Sequence, residues 1–312
     1  MLYSDCTLCP RMCRVDRLAG GVGLCGQTNA VRVACAGLHF GEEPPISGKL
    51  GSGTVFFSGC TLRCSFCQNW QISHNGLGDG VSPETLADIF MALERDGAAN
   101  INLVTGTPFV PGIISALHTA KSRGMALPVL WNTSGYESRE TLTLLNNVVD
   151  VYLADIKTLD PDLSRSLFSA ADYPGVAQRA ATFMTESKGL VYRNGEDSEL
   201  LKGVIIRHLV LPGHLDSTRQ TLPWFRANLY PKALLALMFQ YTPIAPSRSQ
   251  PARRIFRQEY DLVCSWLDEL GIEDGFVQEY ETDKSWLPDF TRPRPFPSQL
   301  FSGVWHYSCG SV

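Results

Sequence analysis

From Thr54 onward, short apolar runs alternate with longer segments in which apolar residues recur at helical spacing. Ser82 and Pro83 open one such segment as an N-cap and a first helical residue. Alternation of this kind is typical of βα units that build a parallel sheet. The predicted strands cover 54–57, 101–105, 128–131, 149–154, 203–211, 233–239 and 276–278, and further helices fit 111–124, 138–147, 217–229 and 255–270. We therefore predict an α/β fold, since 312 residues suffice for one α/β barrel with appended segments.

Composition and charge argue against several classes of function. The chain has 27 Lys and Arg residues against 31 Asp and Glu residues, which provides no electrostatic reason to bind nucleic acid. The longest apolar stretch, residues 233–239, is far shorter than the roughly 18 residues of a membrane-spanning helix. Residues 1–21 contain cysteines and charges where a signal peptide needs an apolar core. We therefore expect a cytoplasmic protein with no nucleic-acid or membrane partner.

Seven of the ten cysteines fall into two groups within the first 67 residues, which in a reducing compartment indicates metal or cluster ligation rather than disulfides. The second group, Cys60, Cys64 and Cys67, has C-x3-C-x2-C spacing and follows the first predicted strand. Because a closed metal site takes four protein ligands, three thiolates on one loop predict a cluster with one open metal position. The alternative is a structural zinc site that a distant histidine completes.

The first group consists of Cys6, Cys9, Cys13 and Cys25. Two, three and eleven residues separate its members, and four thiolates complete a tetrahedral site. This spacing suits structural zinc or an auxiliary iron–sulfur cluster, so the identity of the second metal stays open. We predict a small cysteine-rich metal-binding module over residues 1–50. The remaining cysteines are interpreted as buried small hydrophobes or incidental thiols: Cys35, Cys264 and Cys309.

Residues 59–69, with the sequence GCTLRCSFCQN, resemble the cluster loop of radical S-adenosylmethionine (SAM) enzymes. The similarity extends over nearly the whole chain. Segments 6–11, 43–48, 51–54 and 276–279 together resemble the branch related to pyruvate formate-lyase activating enzymes. The resemblance implies an incomplete (β/α)6-type radical SAM barrel.

The resemblance also implies a set of cofactors. Cys60, Cys64 and Cys67 would hold a [4Fe-4S] cluster whose fourth iron binds SAM. In such families one electron from the cluster cleaves SAM, and the 5′-deoxyadenosyl radical abstracts a substrate hydrogen. Phe66 matches the aromatic residue that family members place near adenine.

A parallel barrel places its working residues directly after each strand, on the C-terminal face. Gly106 and Thr107 follow the second strand, where the family carries a glycine-rich segment ending in an acid. This chain departs from that pattern, so we expect backbone contacts to the methionyl part of SAM. Asn132 and Thr133 follow the third strand and resemble the polar positions of the activating-enzyme branch, which predicts contacts to the cofactor.

Charged residues follow or interrupt the next two strands. Asp155 and Lys157 share a strand face and are predicted to balance the charges of a zwitterionic ligand, with an internal salt bridge as the alternative. Arg207 interrupts an apolar run and needs a carboxylate or phosphate partner, for which the cofactor carboxylate is a candidate. His208 points to the opposite face and is predicted to be a hydrogen-bonded core histidine.

We expect three parts: a metal module over residues 1–50, a radical SAM partial barrel over 51–284 and an extended tail over 285–312. The predicted function is that of a radical SAM oxidoreductase that resembles an activase of glycyl-radical proteins. Its expected partners are a protein substrate and an electron donor such as flavodoxin or ferredoxin. Two alternatives stay open: an iron–sulfur electron-transfer or SAM-sensing protein without turnover, and a zinc-ribbon interaction module on a degenerate barrel.

Overall fold

The structure is a computed structural model that describes residues 2–194, 198–244, 251–280 and 287–311. The strands are β1 (Val31–His39), β2 (Ser52–Phe57), β3 (Asp79–Val81), β4 (Ile101–Val104), β5 (Val129–Thr133), β6 (Val151–Asp155), β7 (Val191–Tyr192), β8 (Leu200–Leu209), β9 (Leu234–Met238), β10 (Gly275–Val277), β11 (Phe301–His306) and β12 (Gly310–Ser311). The helices are α1 (Pro44–Ser47), α2 (Trp70–Ser73), α3 (Pro83–Arg95), α4 (Val110–Ser122), α5 (Arg139–Leu145), α6 (Pro161–Phe168), α7 (Tyr173–Ser187), α8 (Leu215–Asn228) and α9 (Arg257–Leu270). Across these ranges, no helix combines the length and the apolar character needed to cross a bilayer.

The strands form a large sheet whose centre is parallel. Its hydrogen-bonded order is β10-β9-β8-β6-β5-β4-β2-β1-β11-β12, while β3 pairs with β1 and β7 with β8 beside this path. Every neighbouring pair from β10 to β2 is parallel, and each crossover between them carries at least one helix, as parallel pairing requires. Because β10 and β12 end the path, the sheet is open. The predicted α/β fold with an incomplete barrel is confirmed.

Side chains of the central strands alternate between two buried layers. On β6, Ala154 packs into the core between the sheet and the helices, whereas Leu153 packs into a smaller cluster on the interior face. Ile205 of β8 belongs to the same interior cluster. Asp155 and Arg207 lie two residues further along these strands, so the pleat directs both toward the barrel interior.

Two helices that the periodicity does not predict fill the crossover between β6 and β8. Asp160 begins α6 by accepting hydrogen bonds from the backbone N–H groups of Asp162 and Leu163, and Pro161 is the first helical residue. The helix start predicted at Ser82 has the same form and is confirmed, since its side chain accepts from a backbone N–H of α3. The second unpredicted helix, α7, supplies a residue to the candidate site.

Two segments outside the predicted barrel join its sheet. β1 pairs antiparallel with β2, and β11 pairs antiparallel with β1. The module expected over residues 1–50 therefore includes a strand of the main sheet, β1, and part of the expected tail is the strand β11. At Gly37 an added Cβ would lie 2.3 Å from the carbonyl oxygen of Ser302, so β11 can pair here only because the residue has no side chain. The same glycine interrupts the apolar pattern by which β1 could have been predicted. The boundary predicted at 284/285 lies outside the described residues.

Candidate active site

The cluster loop, residues 59–69, begins where β2 ends. Gly59 has a φ of +78°, and an added Cβ would lie 2.6 Å from the carbonyl oxygen of Cys25. Only glycine fits this turn, because both the backbone conformation and the space exclude a side chain. Further along, the backbone N–H of Ser65 donates to the carbonyl of Leu167 at 2.9 Å. The loop therefore lies between the N-terminal segment and the end of α6.

The three cysteines of this loop lie near one another in a buried setting. Cys60 and Cys64 are buried and Cys67 is half-buried. The backbone N–H of Leu62 donates to Cys60 Sγ at 3.4 Å, and the Ser73 hydroxyl donates to Cys67 Sγ at 3.2 Å. Burial raises the pKa of Cys64, and Cys60 and Cys67 are close enough to raise it further. Hydrogen-bond donors thus already point at two of the three sulfurs.

The donor set fits a [4Fe-4S] cluster. Thiolates hold such clusters, and hydrogen bonds to the sulfurs tune their potential. Among the residues that the structure describes, no group of three His, Cys, Asp or Glu side chains is arranged to hold a single metal ion. Because the cysteine ligands of a cluster bind different irons, convergence on one point is not the geometry that a cluster requires. Three thiols also leave one iron without a protein ligand.

Asp155 and Lys157, the β6 ion pair, lie beside these thiols. Lys157 Nζ is 2.5 Å from Asp155 Oδ2, and the two side chains are 17% and 20% exposed. Burial raises the pKa of Cys64, and the charge of the Lys157 ammonium opposes this effect. The Tyr173 hydroxyl accepts from the Lys157 backbone N–H and donates to the carbonyl of Ser134, both at 2.9 Å. Tyr173 therefore ties the ends of β5 and β6 together.

Thr107, which follows β4, and Thr133, which ends β5, bind Glu137 rather than the β6 ion pair. The Thr107 and Thr133 hydroxyls each donate to Glu137 Oε1 at 2.6 Å, and Trp131 Nε1 lies 3.2 Å from the same oxygen. Burial raises the pKa of Glu137 despite these three donors. An added Cβ on Gly106 would lie 2.7 Å from the Trp131 ring, so the packing of that ring leaves no room for a side chain at this position. The structure does not bring these hydroxyls to the β6 ion pair.

Two other predicted residues do lie at the end of the barrel that carries the cluster loop. Phe66 is only 5% exposed, and its ring centroid is 6.0 Å from that of Phe168 and 5.9 Å from that of Tyr241. Asn132 is half-buried at the end of β5, two residues after Leu130, which packs on the interior face. Phe66 therefore packs within the cluster loop's own aromatic surroundings, and Asn132 faces the barrel interior.

Arg207 is bound by two carboxylates of its own chain. Its Nε donates to Glu43 Oε1 at 2.8 Å, and its Nη2 contacts both Glu42 and Glu43. Asn102 donates to Glu42 Oε1 at 2.8 Å. Burial alone would raise the pKa of Glu42, but the charges of Arg207 and His39 and the hydrogen bonds from Arg207 and Asn102 together lower it. The expected carboxylate partner is therefore present, but it comes from the loop before α1 rather than from a cofactor.

The prediction for His208 is confirmed. Its ring is buried, with Nδ1 2.6 Å from the carbonyl oxygen of Ile156 and Nε2 2.9 Å from the Thr218 hydroxyl. A neutral ring that donates from Nδ1 and accepts at Nε2 satisfies both partners. Burial lowers the pKa of His208 to about 4. The residue therefore holds the end of β6 to α8 and takes no part in the site.

Several site residues were missed by reasoning from strand ends. Tyr173 begins an unpredicted helix, and Glu137 lies four residues beyond the end of its strand. Glu42 and Glu43 precede two prolines in a loop that the sequence reasoning used only for its resemblance. The only sequence signal for Glu42 and Glu43 was that Arg207, inside an apolar run, needs a carboxylate partner. The remaining predicted ligands line a narrow cavity of the N-terminal segment: Cys6, Cys9, Cys13 and Cys25.

Comparisons with known proteins point to one family. The model of the radical SAM superfamily matches residues 54–174. The uncharacterized protein MJ0674 of Methanocaldococcus jannaschii is 30% identical over 269 residues, which cover 83% of this chain and 73% of that protein. SuiB of Streptococcus suis bound to S-adenosylmethionine aligns with a TM-score of 0.48 at 13% identity, covering 70% of this chain and 48% of SuiB. A radical SAM methyltransferase from Sphaerobacter thermophilus aligns with a TM-score of 0.47 at 15% identity, covering 74% of this chain and 67% of that chain. This chain thus spans about half the length of SuiB.

Proposed function

The chain belongs to the radical SAM superfamily, and we propose that it is an enzyme that cleaves SAM reductively with a [4Fe-4S] cluster on Cys60, Cys64 and Cys67. A [4Fe-4S] cluster held by these three thiolates would supply the electron that cleaves SAM to methionine and a 5′-deoxyadenosyl radical, which would abstract a hydrogen atom from the substrate. The observation that carries the proposal is the position of three thiols on one loop at the carboxyl end of β2, beside the β6 ion pair.

In this proposal the β6 ion pair binds the amino-acid end of SAM. Lys157 binds the carboxylate and Asp155 accepts a hydrogen bond from the amino group, whose lone pair stays free to bind iron, so both buried charges keep a partner. Both side chains are about one-fifth exposed, which leaves them accessible to a ligand. Tyr173 holds the Lys157 backbone and so keeps the ammonium at the site.

Other residues exclude water from the cofactor and extend its binding surface. Phe66, with Phe168 and Tyr241 behind it, provides an apolar wall for adenine. Asn132 supplies a polar group at the interior end of β5. The backbone of Gly106 would contact the methionyl part of SAM, as the sequence predicts.

For the substrate, we propose a glycyl-radical protein that receives its radical here, with flavodoxin or ferredoxin as the electron donor in the cytoplasm. The support is the resemblance of segments 43–48 and 276–279 to activating enzymes, and the open sheet. A cavity of about 480 Å³ lies against β10 at the sheet end, and its lining includes Glu42, Arg207 and Glu279. An open sheet end gives a loop of a partner protein a route to the barrel interior.

The test of SAM cleavage is anaerobic reconstitution with iron and sulfide, followed by reduction with dithionite and measurement of released 5′-deoxyadenosine. We expect C64A to abolish release and C309A, which changes an exposed cysteine, to retain it. Full release by C64A would overturn the proposal. SAM binding without any cleavage in the unsubstituted protein would select an electron-transfer or sensing role. Zinc without iron would select an interaction module on a degenerate barrel.

The substrate proposal is tested separately with candidate glycyl-radical proteins that carry Cα-deuterated glycine. Transfer of deuterium into 5′-deoxyadenosine, with a protein radical visible by electron paramagnetic resonance, is the expected result. Label transfer from a small molecule or a free peptide instead would retain the enzyme class and reject the activase role.

A further inference from the structure

Four cysteines of the N-terminal segment line one narrow cavity, although the sequence spreads them over twenty residues: Cys6, Cys9, Cys13 and Cys25. A tight turn joins two of them, since the Met12 N–H donates to the Cys9 carbonyl at 3.0 Å. Met12 and Arg14, on either side of Cys13, both have positive φ values, 41° and 56°. A Cβ on Gly23 would lie 3.3 Å from both Cys13 Sγ and Cys25 Sγ. The backbone is thus folded tightly around the thiols.

A buried cation without a carboxylate lies against this cavity. Arg17 is 1% exposed and lines the cavity with the thiols. It donates to the carbonyl of Thr28, lies 3.8 Å from Cys6 Sγ and stacks on the Tyr3 ring. Within the described part of the chain, no Asp or Glu forms an ion pair with it. A buried guanidinium needs a nearby negative charge. A divalent metal ion bound by four thiolates forms a complex with a net charge of −2, which supplies it.

The small size of the cavity favours a single ion over an auxiliary cluster. Its volume is about 10 Å³, which is the scale of one small ion or water molecule. The four thiols are not yet placed around one point, but each can turn about its single Cα–Cβ bond. Tetrahedral coordination by four thiolates is the preferred environment of structural zinc.

We propose that Cys6, Cys9, Cys13 and Cys25 bind one zinc ion that holds the N-terminal segment against the cluster loop. The zinc site stands on the thiols, the cavity and the buried arginine, and does not depend on SAM chemistry. The second half of the statement rests on the proposed function, because it concerns the loop that would carry the cluster.

Arg11 is the connection between the two cysteine groups. It lies in the tight turn between the second and third zinc ligands, and its Nε donates to the carbonyl of Thr61 at 3.0 Å. Its Nη2 and Nη1 donate to the carbonyls of Phe168 and Ser169 at 2.8 and 2.6 Å. Thr61 lies between the first two cluster cysteines. One guanidinium therefore ties the zinc turn, the cluster loop and the end of α6 together, as a positioning residue.

The zinc half of the proposal is tested by elemental analysis of anaerobically purified full-length protein. We expect about one zinc per chain, lost in C9S and C25S and retained in C64A and C309S. Cobalt(II) taken up in place of zinc should give the visible bands of tetrahedral thiolate coordination, absent in C9S. Far-ultraviolet circular dichroism checks that each variant folds. Iron rather than zinc in C64A, or unchanged zinc in C9S and C25S, would overturn the assignment.

The positioning half is tested by amide hydrogen exchange of residues 59–69 in R11A, with R165A as the control. Arg165 is an exposed residue of α6 whose ion pair contributes little. We expect R11A to keep its zinc, to exchange these amides faster, and to lose its reconstituted iron faster on exposure to air. Exchange equal to that of R165A would reject the positioning role while leaving the zinc site intact. Retained zinc with no SAM cleavage in any variant would instead count against the proposed function.

Discussion

The two groups of cysteines differ less in chemistry than in their surroundings. The cluster loop presents three thiols beside an ion pair that is about one-fifth exposed, so a small ligand can reach both. The N-terminal group presents four thiols in a narrow cavity against a fully buried arginine. Three ligands beside accessible charges provide a place for chemistry, whereas four ligands beside a buried charge provide only a fixed point. The count of thiols and the access to charge together distinguish a reactive centre from a structural one.

The two regions also touch. Gly59 lies against the carbonyl of Cys25, and Arg11 binds the backbone of the cluster loop. A structural metal would therefore affect a reactive centre through hydrogen bonds rather than through electron transfer. Each of the following predictions separates an effect on one region from an effect on the other.

The largest effect is expected at the β6 ion pair. K157M removes the ammonium that is proposed to bind the SAM carboxylate and leaves Asp155 without its partner, a change of about 2 to 5 kcal/mol. SAM affinity, measured by anaerobic calorimetry, should fall by roughly 30-fold or more. Zinc and iron contents should stay unchanged. Unchanged SAM affinity in K157M would show that the β6 ion pair does not bind SAM.

The next effect is expected at the N-terminal cavity. R17M removes the buried cation that compensates the thiolates, and zinc affinity should fall by about 10- to 100-fold, as for other groups adjacent to metal ligands. Competition with a chromophoric chelator measures this change. R14M is the control, because Arg14 is exposed and forms an ion pair with the exposed Asp5. An equal loss in both variants would show that a general charge effect, and not the buried contact, is responsible.

Acidification should destabilise the barrel through His208, which lies outside both cysteine groups. Burial lowers the pKa of His208 to about 4, whereas the ordinary value is 6.5. The unfolded chain therefore binds a proton first, and stability is lost as the pH falls from about 6.5 toward 4. Between pH 7 and pH 5 this one group should remove about 2 kcal/mol of unfolding free energy. H208Q should lose less stability over the same interval in denaturant titrations; an identical pH dependence would contradict the assignment.

The smallest effect separates the sequence-based role of Thr133 from its observed contact. T133V removes one of three donors to Glu137 Oε1 and should destabilise the protein by about 1 kcal/mol. SAM affinity should be unchanged, because the hydroxyl points away from the β6 ion pair. Thermal unfolding and calorimetric SAM titration of the same preparation measure both quantities. Lower SAM affinity at unchanged stability would instead show that Thr133 contacts SAM, as the sequence predicts.

Prediction of the fold from the sequence succeeded where the signal is local. The strands of the parallel centre are continuous apolar runs, as expected for strands buried on both faces. β1 and β11 were missed because their pattern is broken by glycine, and their pairing joins residues that lie far apart in the chain. Helix α7 was missed because small residues weaken its apolar period. Helix α6 is short, and it was missed although its apolar residues recur at helical spacing and Asp160 and Pro161 mark its start.

Prediction of the site had the same limit. The sequence indicates which residues follow a strand, but a shift of one residue moves a side chain to the other face of the sheet. Asp155 lies on the interior face and Thr133 on the helix side, although both end their strands. The sequence also indicated that Arg207 needs a carboxylate, yet it did not indicate which one.

By itself, the sequence determined the two sets of thiols, their numbers and spacings, and the alternation of strands and helices, because these properties depend on residues close together in the chain. Only the tertiary structure decided that Glu42 and Glu43 neutralise Arg207, that Arg17 is buried beside thiols, and that Arg11 reaches the cluster loop. Such contacts join residues that are distant in the chain, and they form only when packing brings the parts of the fold together. Because burying an unpaired charge is costly, each of these buried side chains is stable only with its partner in place.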